Sequence, residues 1–348
     1  MNNDIRLIAE WESCRAILLA LPEPHTDWNY ILEEARDQYH RMISAFTLRG
    51  YHCVVLTSDK DSAMQLLHDC DQSLLTLIDA EYNDTWTRDY GPISVERGGR
   101  LRALDFGFNG WGLKFAADHD NLVNLQLRDK YVMTPEVYRN ERDFILEGGS
   151  IETDGCGTLL TTSKCLCSPN RNGGHSKLEL NEILNSRLGL SHVLWLDYGA
   201  LAGDDTDSHI DTLCRMATGN TILFTGCRDM DDPHFEDLLK MRAQLTLFRT
   251  PEGEPYNLVE LPLPSAIYDE DGLRLPASYA NYLVTPDTIF MPVYSQPEND
   301  ILACHTVKVA FPDHEIVPVE CSTLIKQHGS LHCATMQIPD NIFNSTVF

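Results

Sequence analysis

Residues 148–162 read GGSIETDGCGTLLTT, with β-branched and apolar residues on either side of a turn at Asp154–Gly157, the pattern of a β-hairpin. Three more stretches repeat it. Residues 91–106, GPISVERGGRLRALDF, turn at Arg97–Gly99; residues 209–226, HIDTLCRMATGNTILFTG, turn at Thr218–Asn220; residues 279–294, YANYLVTPDTIFMPVY, turn at Pro286–Asp287. One position from each turn (98, 155, 219 and 286) gives spacings of about 57, 64 and 67 residues, a recurrence that suggests an internal repeat.

Between hairpins the chain reads helix, then strand. Helical patterns over 119–131 and 175–188 precede the strand-like FILEG and VLWLDYG; those over 233–248 and 299–311 precede YNLVELPL and EIVPVEC. Near the N-terminus, RAILLAL leads into an amphipathic helix over 28–49 that stops at Gly50, and YHCVVLTS returns as a strand. Each module is therefore ββαβ. The fifth hairpin falls where the chain ends, so the pattern splits it between the termini: LHCATMQIP pairs with RAILLAL and closes a ring. Closure removes exposed strand edges. The fold expected is α/β, a five-bladed propeller of ββαβ modules forming one domain over residues 1–348. The ββαβ order also occurs in ordinary α+β proteins.

The 348 residues are 43% hydrophobic, enough for a large core, and carry 52 acidic residues against 27 Lys and Arg, a formal net charge of −25. Such a surface repels phosphate backbones and anionic lipid, which argues against nucleic acid and membrane partners and suits a cationic ligand. Solubility alone accounts equally well for most of that charge. The opening MNNDIRLIAEWESCR lacks the apolar stretch of a secretion signal and no run reaches the length of a membrane span, so the expected location is cytoplasmic. There, 11 cysteines are reduced thiols, most of them small core residues.

Chemically useful side chains recur in phase with the hairpins. Asp89 (WTRDYGP) precedes the first and Glu147 (FILEGGS) the second; His209 and Asp211 (DSHIDTL) open the third, Asn281 (SYANYLV) the fourth and Cys333 (HGSLHCATMQIP) the fifth. Modules surrounding one axis would bring these six together. A guanidinium is a poor electrophile whose N–H fork two carboxylates can grip. Asp89 and Asp211 supply those carboxylates, Cys333 a thiolate to attack the carbon, and His209 a proton for the departing amine and later a base for water.

Each residue also has a plainer reading: Cys333 as a core thiol in an apolar strand, His209 as a structural histidine, Asp89 and Glu147 as turn caps, Trp86 and Trp111 as core aromatics. Two other classes stay open. His209, Asp211, His328, His332 and Cys333 include zinc-type ligands, although not at a standard spacing, and Cys165-Leu166-Cys167 has no matching ligand pair nearby, so no metal site is assigned. A noncatalytic propeller that binds protein is the other.

From AEWESCRAILLALP to LHCATMQIP, nearly the whole chain resembles the agmatine deiminase family, also called Porphyromonas-type peptidylarginine deiminases. The most specific segments are WTRDYGP, LDFGFNGWGLKF, LEGGSIETDGCGTLLTT, SPNRN, the SHID segment and GSLHC. The resemblance implies the five-bladed α/β propeller of guanidine-modifying enzymes and a covalent amidino-cysteine intermediate, with no metal or organic cofactor. It places the nucleophile on Cys333, the histidine on His209 and the guanidinium-binding carboxylates on Asp89 and Asp211. Glu147, Asn281 and Trp86 fall beside the substrate, Trp86 along its alkyl chain. The partner implied is a small cationic guanidino compound, agmatine, converted to N-carbamoylputrescine and ammonia; homo-oligomerisation stays open. Typical members carry Gly-Gly-Gly-Asn-Ile-His-Cys where this chain has Gln327-His328-Gly329-Ser330-Leu331-His332-Cys333. That difference keeps peptidyl-arginine and other guanidino compounds as alternatives, with amidino transfer to an amine behind them.

Overall fold

The computed structural model describes residues 5–348, so Met1–Asp4, the start of the stretch read for a leader, lie outside the described residues. Its strands are β1 (Ile5–Leu7), β2 (Ala16–Ala20), β3 (His52–Thr57), β4 (Leu75–Asp79), β5 (Ile93–Arg97), β6 (Arg100–Gly107), β7 (Tyr138–Ile145), β8 (Ile151–Thr153), β9 (Thr158–Thr162), β10 (His192–Leu196), β11 (Cys214–Ala217), β12 (Thr221–Gly226), β13 (Asn257–Pro262), β14 (Leu283–Val284), β15 (Thr288–Val293), β16 (Glu315–Glu320) and β17 (Met336–Ile338). They form five sheets, ordered β1-β5-β6-β7, β8-β9-β10, β11-β12-β13, β14-β15-β16 and β17-β2-β3-β4. The fold is mixed α/β.

Every sheet contains the same unit. β5–β6, β8–β9, β11–β12 and β14–β15 are antiparallel hairpins at the four expected turns. The second strand of each pairs in parallel with β7, β10, β13 or β16. Parallel neighbours need a long crossover, supplied here by helices Val123–Asp129, Lys177–Leu188, Phe235–Leu245 and Pro297–Ala310. In the remaining sheet the two partners come from opposite ends of the chain. β17 runs antiparallel to β2 (Met336 opposite Leu18, Ile338 opposite Ala16), and β2 runs parallel to β3. Helix Leu32–Thr47 makes that crossover, burying Ala35, Gln38, Tyr39, Met42, Ile43 and Phe46 at the three- and four-residue spacing of one face. All five residues of β2 are buried, which fits a strand covered on both faces.

Several boundaries differ from expectation. β7 begins at Tyr138 and ends at Ile145, so Leu146 and Glu147 of FILEG lie beyond it, after a register shift at Phe106/Gly107. LHCATMQIP is a strand only over Met336–Ile338. Its first half turns instead, because Asn281 Oδ1 takes the backbone N–H of His332 at 3.0 Å and of Cys333 at 3.3 Å, drawing them away from a ladder. Cys333 is therefore in a turn, not within a strand. The helix read over 28–49 is a 3-10 turn, Asp27–Ile31, followed by Leu32–Thr47, and that over 119–131 is likewise split, Asp120–Leu122 then Val123–Asp129. β1 and β4 extend two sheets beyond the repeat. Among the described residues no helix is long and apolar enough to cross a membrane.

Candidate active site

The residues singled out in sequence lie in the short segments that lead into the hairpins. Asp89 sits in a helical turn, Thr87–Tyr90, before β5; Glu147 follows β7 and precedes the turn Gly148–Ser150; Asp211 lies in the 3-10 turn Ile210–Thr212, which His209 starts. Asn281 precedes β14 and Cys333 precedes β17. These turns end the strands early and free their side chains from the sheets.

The structure brings all six into one connected group. The Cys333 thiol lies 3.7 Å from Asp211 Oδ2 and accepts an N–H from Asn281 Nδ2 at 3.2 Å. His209 Nε2 is 2.8 Å from Glu147 Oε2, and its Nδ1 lies 3.7 Å from Asp89 Oδ1 without a hydrogen-bond partner. Asp89 accepts from the Gly149 backbone N–H at 2.9 Å and from the Trp111 indole at 2.8 Å. Gly149 marks where they converge. A Cβ there would stand 2.7 Å from His209 Nδ1, 2.9 Å from Asp89 Oδ1 and 3.1 Å from Asp211 Oδ2, too close for any side chain.

A cavity of about 140 Å³ opens on this group, walled by Trp86, Asp89, Trp111, Phe115, His209 and Cys333, with Asp27, Asp84, Asp204, Asp205 and the 327–329 loop also on its wall. Glu147, Asn281 and Asp211 do not line it. Glu147 is held from behind by Arg171, whose Nε donates to its two oxygens at 2.9 and 3.0 Å. Trp86 packs against the 327–330 loop so closely that a Cβ on Gly329 would sit 2.3 Å from its ring. The five residues weighed as zinc ligands do not gather at one point. Among the described residues the ligand-type clusters are His40–Asp69–Cys70 and Glu147–Cys165–His209, and in the second Glu147 is already bound by Arg171.

The charges in this desolvated pocket are strongly coupled. Burial, then the Asp211 and Asp89 carboxylates, push the Cys333 thiol well above its ordinary value. Burial opposes a charge on His209, but Asp89, Cys165 and Glu147 outweigh it and hold the imidazole well above the usual range. Burial raises Asp89, His209 lowers it, and Glu147 and Asp211 add to the rise, leaving it above an ordinary aspartate. Asp211 falls below the ordinary value because contact with His332 outweighs its burial. On the cavity wall, burial lifts Asp84 to about 7. The arrangement offers a thiol, an imidazole held toward its charged form and the Asp89 carboxylate on the wall of a small space, with Asp211 buried 3.7 Å from the thiol.

Sequence reasoning missed several members. Trp111, read as a core aromatic, donates to Asp89 from a left-handed backbone (φ 55°), a conformation a bulky residue keeps only where its surroundings hold it. Arg171 lies in the SPNRN segment that carried the resemblance, and that was its available signal. His332 stands beside Cys333 but contacts Asp211 at 2.7 Å and Glu10 at 2.7 Å. Nothing in the local pattern marks Glu10.

The sequence pattern of the Porphyromonas-type peptidyl-arginine deiminase family matches residues 6–339. A Vibrio parahaemolyticus protein provisionally named agmatine deiminase is 31% identical, over 95% of this chain and 96% of that one. A solved Porphyromonas gingivalis protein, provisionally described as an arginine deiminase, superposes with a TM-score of 0.91 at 42% identity, over 98% and 100% of the two chains. A C. jejuni agmatine deiminase, solved as a Cys-to-Ser variant with substrate bound, gives 0.87 at 36% identity, over 96% of each.

Proposed function

Because the chain belongs to the Porphyromonas-type peptidyl-arginine deiminase family, we propose that it hydrolyses agmatine to N-carbamoylputrescine and ammonia through a covalent intermediate on Cys333. The observation that carries the reading is one thiol, one imidazole and the Asp89 carboxylate on the wall of the same small cavity, with the buried Asp211 carboxylate 3.7 Å from the thiol. The guanidinium enters between Asp89 and Asp211, and its charge offsets the two carboxylates that hold the thiol protonated. The Cys333 thiol gives up its proton to solvent as the guanidinium binds, and the resulting thiolate attacks the guanidinium carbon, the thiol being reprotonated from solvent after the last step. His209, already charged, gives a proton to the leaving nitrogen, and ammonia departs as the carbon–nitrogen bond breaks. The neutral imidazole next takes a proton from water, whose oxygen bonds to the same carbon. Collapse breaks the carbon–sulfur bond and leaves a ureido product.

The wall supports a small dication. Asp27, Asp84, Asp204 and Asp205 line the cavity, and its basic side chains, among the described residues, are His209 and His328. Agmatine's amine suits those carboxylates. Free arginine would bring an α-carboxylate into an acidic recess with no lysine or arginine on its wall, at a desolvation cost nothing there offsets. A cavity of about 140 Å³ also leaves little room for a peptide backbone.

The architecture that carries this site is read as a single-domain five-bladed α/β propeller. The same hairpin-plus-parallel-strand unit in each of the five sheets supports it, as does the pairing of β17 with β2. Ammonia release measured on agmatine, free arginine and arginyl peptides tests the substrate. Agmatine should be turned over much faster than either; peptides matching or exceeding it would replace this reading with a peptidyl-arginine deiminase.

A further inference from the structure

Behind Cys333 lies a buried charged assembly that the steps above do not use. His332, fully buried, sits between two carboxylates: its Nδ1 is 2.7 Å from Asp211 Oδ2 and its Nε2 is 2.7 Å from Glu10 Oε1. Glu10 comes from the N-terminal turn Glu10–Glu12 and is fixed by Arg88 at 3.0 Å and Arg215 at 2.8 Å; Arg215 is tied in turn to Glu152 at 2.7 Å. Burial works against ionised Glu10 and Asp211, but the cations around them hold both below their ordinary values. Both ring nitrogens therefore face carboxylate oxygens, and Nε2 also lies 3.3 Å from Arg215 Nη2.

A lone buried carboxylate beside a thiol could rotate about its last bond and offer either oxygen to anything nearby. Here one oxygen, Oδ2, is committed to His332, and Oδ1 is buried with no hydrogen-bond partner. We propose that His332 is a positioning residue, braced by Glu10 against Arg88 and Arg215, that fixes the Asp211 carboxylate so that its unpartnered oxygen meets the guanidinium. It touches neither substrate nor the reacting sulfur. The proposal rests on the roles given above to Cys333 and Asp211.

Two substitutions separate positioning from simple support of the fold. In His332→Asn the amide nitrogen falls where Nδ1 was, keeping the donor to Asp211 and losing the bond to Glu10. In His332→Gln it falls where Nε2 was, keeping the bond to Glu10 and losing the one to Asp211. Losing a hydrogen bond to a charged group is worth about 10- to 100-fold in rate. The Gln variant should therefore lose about that much kcat on agmatine, and the Asn variant should stay within about ten-fold of wild type. Thermal melting, measured alongside, should fall in both. Equal losses of kcat, or a larger loss in the Asn variant, would overturn the proposal and leave His332 a structural plug. Glu10→Gln preserves the His332–Asp211 contact and decides the matter if a His332 variant cannot be purified. A kcat within about ten-fold of wild type supports positioning, and a loss matching that of Asp211→Asn overturns it. Mass analysis of wild-type Cys333 during turnover keeps the two ideas apart. An adduct there with indistinguishable His332 variants sinks only the positioning role; no adduct sinks the nucleophile reading beneath it.

Discussion

The two sides of the cavity hold the same three kinds of group in opposite order. On one side the Cys333 thiol reaches the cavity, Asp211 lies 3.7 Å from it, and His332 is behind, bonded to Asp211. On the other, the His209 imidazole reaches the cavity, Glu147 is bonded to it, and the Cys165 thiol is behind, 3.7 Å from Glu147. Each side therefore has a thiol, a carboxylate and an imidazole, but exposes a different one. Access, not composition, separates the proposed nucleophile from its counterpart: Cys165 is as buried in carboxylate company as Cys333 but does not line this cavity. Each carboxylate is also braced by arginine, Glu147 directly by Arg171 and Asp211 through His332 and Glu10.

The comparison breaks if the two sides can exchange roles, and His209→Asn is the harshest trial. Removing the imidazole that faces the cavity should cut kcat about 10²- to 10⁴-fold, the usual worth of positioned acid–base catalysis. Steady-state ammonia release within a few-fold of wild type would mean that His332 or water can stand in.

A smaller effect is expected from the carboxylates. Asp89→Asn and Asp211→Asn each take one charge from a desolvated clamp, a loss of about 2–5 kcal/mol in transition-state binding. Both should also move the thiol. Because these carboxylates raise Cys333, removing either lowers its value, so iodoacetamide alkylation of the free enzyme should begin at a lower pH than in wild type. A pH profile unmoved in both variants would contradict the coupling between clamp and nucleophile.

Cys165→Ala should show the smallest effect, with activity within about two-fold of wild type and a loss confined to stability, as for a buried thiol that only fills space. A drop as deep as that of His209→Asn would mean that Cys165 takes part in the chemistry.

Much of this was legible in the sequence because local turn chemistry betrayed the hairpins. Gly98–Gly99, Asp154–Gly157 and Gly219–Asn220 each sit between β-forming runs, and the polar residues recur just before those runs. The antiparallel pairing of β17 with β2 followed from the phase of the repeat. What stayed hidden depends on contacts with no local signature. Glu10 and His332 lie 322 positions apart and meet only when the ends of the chain come together. Trp111 sits in a Gly-Trp-Gly stretch without helical or strand period, so nothing distinguished a donor to Asp89 from a core ring. β1 and β4 were missed because each adds to an edge beyond the repeating unit, where the period makes no demand.

The central claim is that Cys333, and no other thiol, carries the covalent intermediate. Rapid acid quenching of the enzyme during agmatine turnover, followed by digestion and mass analysis of the peptides bearing its 11 cysteines, tests it most directly. The account predicts an adduct with the mass of agmatine less ammonia on the peptide containing Cys333, absent in Cys333→Ala. Turnover with no adduct on Cys333, or with the adduct on Cys165, would contradict it.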